Sequence, residues 1–240
     1  MAKPFKKWTV MPHGKVSKLD DKLLTVVGDL PMPFGAFPRR MTVIRLKDAR
    51  LVIFSAIALD EPEMQALEAF GTPGFLIVPS DIHRMDAKIW KERYPALRVI
   101  APEGARAKAQ KVVQVDATHA DFHDPGVSYV TVPGTEGHEA ALVVETSSGT
   151  TLVINDLIWN VDHRPGLGGL LYRVTGLTGP EPQIASVVRR FKIKDKPALR
   201  AQFETWSRLR SLNRIIVSHG DIVERDPSAV LRGLASTLAA

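Results

Sequence analysis

The sequence predicts an α/β fold of the α+β kind, one domain over residues 1–240 with mixed β-sheets flanked by helices. Three observations predict it. Up to Val115, short apolar runs alternate with segments that carry helix start and stop signals. From Val127 to Ile154, three strand-like runs follow one another with only turns between them. Beyond Gln183, helical patterns enclose one last apolar run, and no repeat, low-complexity tract or linker divides the chain.

The elements follow in order. Lys22 to Val27 and Met41 to Leu46 read as strands, and the Pro- and Gly-rich stretch from Pro31 to Pro38 as a surface loop between them. A turn at Lys47 to Arg50 leads to a buried strand at Leu51 to Leu59. Asp60 is a helix N-cap with Pro62, Glu61 and Glu63 in the first turn, and Gly71 ends that helix. A strand at Phe75 to Val78, a helix from about Met85 to Tyr94, a strand at Leu97 to Ala101, a helix at Glu103 to Gln110 and a strand at Val112 to Val115 complete the first half. The second half opens with strands at Val127 to Val132, Ala140 to Thr146 and Thr151 to Ile154, the last two closed by Ser147-Ser148-Gly149. The Gly- and Pro-interrupted stretch from Val161 to Gln183 reads as a long loop with apolar residues, the composition of a lid. Helices follow at Ile184 to Phe191 and Pro197 to Leu209, then a strand at Ile215 to Val217 and a helix from Pro227 to Leu238 capped by Asp226.

Composition excludes several classes. Hydrophobic residues make up 45% and charged residues 24%, the balance of a globular chain, and no apolar run approaches the roughly 18 residues of a membrane span. With no cysteine, thiolate metal sites and thiol nucleophiles are ruled out, so any metal is held by His, Asp or Glu. The basic N-terminus lacks the apolar core of a signal peptide, which makes the cytoplasm the expected location. The net charge of +6 is concentrated in Met1 to Lys18 and in Arg189 to Arg214. A basic stretch with apolar residues at helical spacing and no interleaved aromatics reads as a solvated face rather than a nucleic-acid groove.

Ligand-type side chains follow the apolar strands at four places. Phe75 to Val78 runs into Pro79-Ser80-Asp81-Ile82-His83, and Val130 to Val132 into Pro133-Gly134-Thr135-Glu136-Gly137-His138-Glu139. Thr151 to Ile154 ends in Asn155-Asp156, and Ile215 to Val217 in Ser218-His219-Gly220-Asp221. Strand ends in layered α/β folds are where side chains from several strands converge on one cavity. Three or four N and O ligands about 2.0 to 2.2 Å from a divalent ion, with one position left for water, make a Lewis acid and a hydroxide source.

The order of these elements resembles the metallo-β-lactamase fold superfamily from about Met41 to Val223. That resemblance implies a four-layer αββα sandwich with a metal site at one edge. The segment Thr151 to Asp156 is similar to the family's strand ending in a metal-bridging Asp, and Ile215 to Asp221 to its late strand ending in a His-Gly ligand site. The departures are equally specific. Where the family carries His-x-His-x-Asp-His, this chain reads Ser80-Asp81-Ile82-His83-Arg84-Met85-Asp86; Pro-Gly-His becomes Pro133-Gly134-Thr135 with His138 three residues on; and the early strand ends in Phe54-Ser55-Ala56 in place of an Asp and Gly. The chain resembles an uncharacterised side branch with a reduced ligand set.

The resemblance therefore implies a metal-dependent hydrolase of a small ester, lactone or phosphoester. His83, His138, Asp156 and His219 are its metal ligands, with Asp156 also orienting the reaction, and the ion is zinc, with manganese or iron as alternatives. Glu139 or Asp81 could replace His138. The plainer alternatives are that His219 and Asp156 only cap turns, that His83 only sits at a helix start, and that the scaffold is a metal-free binding or regulatory protein. A Ser-His-Asp hydrolase built on Ser80 or Ser218 lacks an evident oxyanion hole, and no phosphate-loop, dinucleotide or His-Glu-x-x-His motif occurs.

Overall fold

Alternation of apolar side chains along the strands assigns them to opposite faces, and the architecture follows from where each face goes. A computed structural model describes residues 3–32, 35–163 and 165–239. Its first sheet is built from β1 (Ser17–Lys18), β2 (Leu23–Met32), β3 (Gly35–Arg45), β4 (Arg50–Phe54), β5 (Thr72–Ile77) and β6 (Arg98–Ile100), in that spatial order. Helices α1 (Glu61–Phe70), α2 (Ala87–Arg93) and α3 (Glu103–Ala109) lie between or after its later strands. The second sheet holds β7 (Val127–Thr131), β8 (Ala140–Thr146), β9 (Gly149–Asn160) and β10 (Leu212–Gly220), in the order β10-β9-β8-β7. Helices α4 (Gly166–Val174), α5 (Ser186–Phe191), α6 (Lys196–Ser207) and α7 (Pro227–Ser236) accompany it.

Three cores make four layers. On β4, Leu51 and Ile53 pack outward with Met64 and Leu67 of α1 and Ile89 and Trp90 of α2. Their neighbours Val52 and Phe54 point the other way, into the space between the sheets, where they join Leu142, Val153 and Ile216. Leu152 and Ile154 of β9, with Ile215 and Val217 of β10, face outward against Leu199, Phe203 and Trp206 of α6 and Leu231 and Leu234 of α7. Strands buried on both faces read as continuous apolar runs, which is why their sequence pattern is unbroken hydrophobicity. The layers are α, β, β and α.

Several stretches differ from their sequence reading, among them the strand read at Leu51 to Leu59, which ends at Phe54, and the one read at Thr151 to Ile154, which runs on to Asn160. The segment read as a loop from Pro31 to Pro38 is the end of a long hairpin, paired from Leu23↔Ile44 out to Met32↔Gly35; residues 33 and 34 of that loop lie outside the described residues. Val112 to Val115 forms turn and coil, although Val113 and Val115 still bury their side chains. The stretch Val161 to Gln183, read as a loop, contains helix α4. The start signals at Asp60 and Asp226 hold to their chemistry, for their carboxylates accept from the backbone N–H groups of Glu63 and Ala229, and Asp195, which the sequence reading did not single out, accepts from Ala198 N–H in the same way.

The topology delivers several chain segments to one place. Strands β4 and β5 run parallel, as do β9 and β10, so their C-terminal ends reach the same margin of the sandwich. At that margin the register slips: Val217↔Ile154 is followed by His219↔Trp159, five steps on β9 against two on β10. A bulge of this kind re-aims side chains, and Asn155 and Asp156 lie inside it. Trp159 Nε1 donates to the Asp156 carbonyl at 2.7 Å and fixes the bulged backbone. Opposite, Gly220 has φ 95°, and a Cβ there would meet the Asn160 carbonyl oxygen at 1.8 Å, so only glycine allows β10 to close on β9 after His219.

Candidate metal centre

His83, Asp156 and His219 come together with their inward atoms within 4.8 Å of one another, and no other such group of three occurs among the described residues. His83 arrives from the loop after β5, Asp156 from the β9 bulge and His219 from the end of β10. His83 Nε2 stands 2.9 Å from Asp156 Oδ1, and His219 Nε2 stands 3.2 Å from the same oxygen. A tetrahedral ion with bonds of about 2.0 to 2.1 Å sets its ligand atoms about 3.3 Å apart, close to both separations.

Each imidazole is oriented from behind. His219 Nδ1 lies 2.8 Å from the Pro38 carbonyl oxygen on β3. A carbonyl only accepts, so Nδ1 carries a proton, and the Nε2 of a neutral ring presents a lone pair to Asp156. A lone pair facing a carboxylate oxygen at 3.2 Å is repulsive unless a cation stands with them, either a metal ion or a second ring proton. His83 Nδ1 lies 2.8 Å from Ser55 Oγ. Ser55, the residue after β4, has φ 57°, a left-handed conformation that a serine adopts at a cost of about 1–3 kcal/mol. The strained turn brings the hydroxyl behind His83.

The second oxygen of Asp156 is taken by a residue that the sequence did not mark. Lys192, just past α5, donates from Nζ to Asp156 Oδ2 at 2.6 Å and also pairs with Glu139 Oε1. Glu139 Oε2 accepts from Asn155 Nδ2 at 3.0 Å, and Asn155 Oδ1 accepts from the Ser218 hydroxyl at 2.9 Å. All of these carboxylates are buried. Burial pushes the Glu139 carboxyl up to about 8, against the pull of Lys192 and with the charge of Asp156 adding to the rise. Burial also opposes the Asp156 carboxylate, yet His83, Lys192 and the hydrogen bonds it accepts hold its pKa well below the ordinary value. The same burial lowers the pKa of His83 despite the adjacent carboxylate.

His138 is not brought into the group. Its turn carries it toward α3, where its ring lies so close to Gly104 that a Cβ on that glycine would come within 2.8 Å. The backbone explains the direction, since Gly104 N–H donates to the Gly137 carbonyl and holds the turn there. The next residue, Glu139, faces the site instead. Asp81 also stays outside and pairs with Lys108 at 2.5 Å. An aromatic wall covers the outer side of His219: Trp159 lies 4.5 Å away between ring centroids and Phe37 5.5 Å, and Tyr172 of α4 packs on Phe37 at 5.4 Å.

No protein-family model and no curated protein matches the sequence. Solved structures match the architecture. The metallo-β-lactamase FIM-1 from Pseudomonas aeruginosa, in its mono-zinc form, superposes with a TM-score of 0.62 over 95% of this chain and 96% of its own, at 12% identity. The DIM-1 metallo-β-lactamase, in crystals exposed to ceftazidime, gives 0.64 over 97% of this chain and 100% of its own, at 13% identity. A metallo-β-lactamase from Pontibacter korlensis gives 0.61 over 92% and 98%, at 12% identity. The chain has the metallo-β-lactamase fold over nearly its whole length. At these identities the likeness carries architecture, and the activity must be argued from the site.

Proposed function

We propose that this chain of metallo-β-lactamase fold is a metal-dependent hydrolase of a small ester, lactone or phosphoester, with His83, Asp156 and His219 as the metal ligands. The observation that carries the reading is the commitment of His219 Nδ1 to the Pro38 carbonyl, which turns Nε2 toward the same Asp156 oxygen that His83 faces. Two imidazole nitrogens and one carboxylate oxygen suit zinc, with manganese or iron as alternatives. A divalent ion bound there would polarise a scissile carbonyl or phosphoryl group and acidify water toward neutral pH.

The protein's own groups do the rest. Pro38 and Ser55 fix the two rings, and the Lys192 ammonium holds Oδ2 so that Asp156 offers Oδ1 inward. Phe37, Trp159 and Tyr172 shield the His219 side from bulk water. A small-molecule substrate fits better than nucleic acid because part of the basic run from Arg189 to Arg214 is engaged within the protein: Lys192 in the centre, Arg200 with Glu204, Arg214 with Glu224, and Arg189 with the carbonyl of Thr237.

One observation favours a second reading, a metal-free binding or regulatory protein. Lys192 already supplies a cation to Asp156, and a doubly protonated His219 could supply the other. Elemental mass spectrometry on protein purified without a metal-binding tag separates the two. Bound metal in the wild type and its large loss in His219→Ala support the hydrolase and justify a screen of esters, lactones and phosphoesters. No metal in either, after soaking with zinc, manganese and iron, leaves the binding protein.

A further inference from the structure

Resting on that metal-site reading, we infer that the centre takes a single divalent ion and that the ammonium of Lys192 stands as its permanent second cation. A carboxylate that bridges two ions must give one oxygen to each. Here Oδ1 of Asp156 faces both imidazoles, whereas Oδ2 accepts from Lys192 Nζ at 2.6 Å. The same ammonium pairs with Glu139 Oε1, and the other Glu139 oxygen is held by Asn155. Every carboxylate oxygen on that side of Asp156 therefore has a protein donor. A second divalent ion would have to displace an ammonium whose side chain is 15% exposed and which sits between two carboxylates exposed by 1% or less. Like charges a few ångströms apart in a buried setting repel strongly.

The contacts agree with this assignment. Lys192 takes one oxygen of each of the two buried acidic side chains and leaves Asp156 Oδ1 with the imidazoles for one ion. Without Lys192, Asp156 Oδ2 and Glu139 Oε1 would face each other as two hard oxygen donors with no cation between them, an arrangement suited to manganese or zinc. In this role Lys192 is a positioning residue: it sets how many ions enter and which carboxylate oxygen points inward.

The test is metal stoichiometry of the full chain, loaded with zinc or manganese, dialysed, and read by elemental analysis and native mass spectrometry. The wild type and Lys192→Arg should hold about one equivalent per chain. Lys192→Met or Lys192→Ala should hold about two, and adding Glu139→Gln to Lys192→Met should return the count to about one, because the second ion loses a carboxylate. Two equivalents in the wild type overturn the inference and leave the hydrolase standing. One equivalent in both neutral single variants overturns it as well. No metal in the wild type fails the metal-site reading itself. If Lys192→Met does not fold without metal, the inference predicts that manganese restores the fold in that variant and not in the double variant; rescue of both, or of neither, overturns it.

Discussion

Asn155 and Asp156 are neighbours on the same bulged strand, both fully buried, yet their surroundings are of opposite kinds. Asn155 is closed: its amide donates to Glu139 and its carbonyl accepts from Ser218, so each polar atom meets its complement inside the protein. Asp156 is open on one side. Its Oδ1 faces two imidazoles, and the ring of His219 also meets a backbone carbonyl through Nδ1. Buried polar groups cost stability unless matched. On the proposed reading, the comparison teaches that a matched cluster supports the fold, whereas a carboxylate oxygen facing two imidazoles is where a cation would enter.

The largest effect should come from the open side. Asp156→Asn removes the charge and one of the two oxygens, and metal content and metal-supported turnover should fall to background, measured by elemental analysis and by hydrolysis of whichever substrate the screen provides. Full activity in that variant would end the assignment. Next is Ser55→Ala, which leaves the ligands in place and removes the support behind His83. A group holding a metal-ligating imidazole is worth about 10- to 100-fold in metal affinity, so zinc titration by calorimetry should show a loss in that range. Ser55→Gly should lose as much affinity while folding at least as well, since glycine accepts the left-handed turn at φ 57° without strain. Equal affinity in both variants and the wild type would mean that Ser55 plays no part in the centre.

On the closed side the expectation reverses. Asn155→Ala strands a Glu139 oxygen and the Ser218 hydroxyl, at about 1–3 kcal/mol for a buried group left unpaired. Urea denaturation should show that loss while metal stoichiometry stays at the wild-type value. A variant of unchanged stability that loses its metal would collapse the distinction between the two neighbours.

The layers were legible in the sequence because strands buried on both faces must be apolar throughout, and because Asp60 and Asp226 cap helices through local bonds that do not depend on the rest of the fold. Helix α4 was misread although Leu167, Leu170, Leu171 and Val174 carry helical spacing, since three glycines in its first four residues argue against a helix locally. Strand β9 was cut short at Ile154 because Asn155-Asp156 looks like a strand end, and a bulge produces the same letters. Of the site, His83, Asp156 and His219 could be picked out as ligand types after apolar runs. Lys192 could not. It sits among Arg189, Arg190 and Lys194 with nothing in its immediate sequence to mark it as the one turned inward, and only the packing of α5 against the second sheet places it between two carboxylates.

The last expectation concerns Glu139 in the metal-free protein, where the closed side meets the open one. Its folded pKa of about 8 lies above the ordinary 4.5 because burial penalises the charged form by more than Lys192 and Asn155 offset, with the Asp156 charge adding to the rise. Between those two values the unfolded chain has released the proton while the folded chain keeps it. The folded state then binds more protons, so stability falls as pH rises through that window. His83 and Asp156 act in the opposite sense: both are lowered, and what they contribute is lost on acidification below their ordinary values of 6.5 and 3.8. Glu139→Gln removes only the first effect. In the presence of chelator, the stability of the variant relative to wild type should climb from pH 5 to pH 8 and level off above, as read by urea denaturation at each pH. Parallel curves across that range would mean that Lys192 keeps Glu139 ionised throughout, and the closed side would then be a true ion pair at neutral pH rather than a carboxyl group waiting for a base.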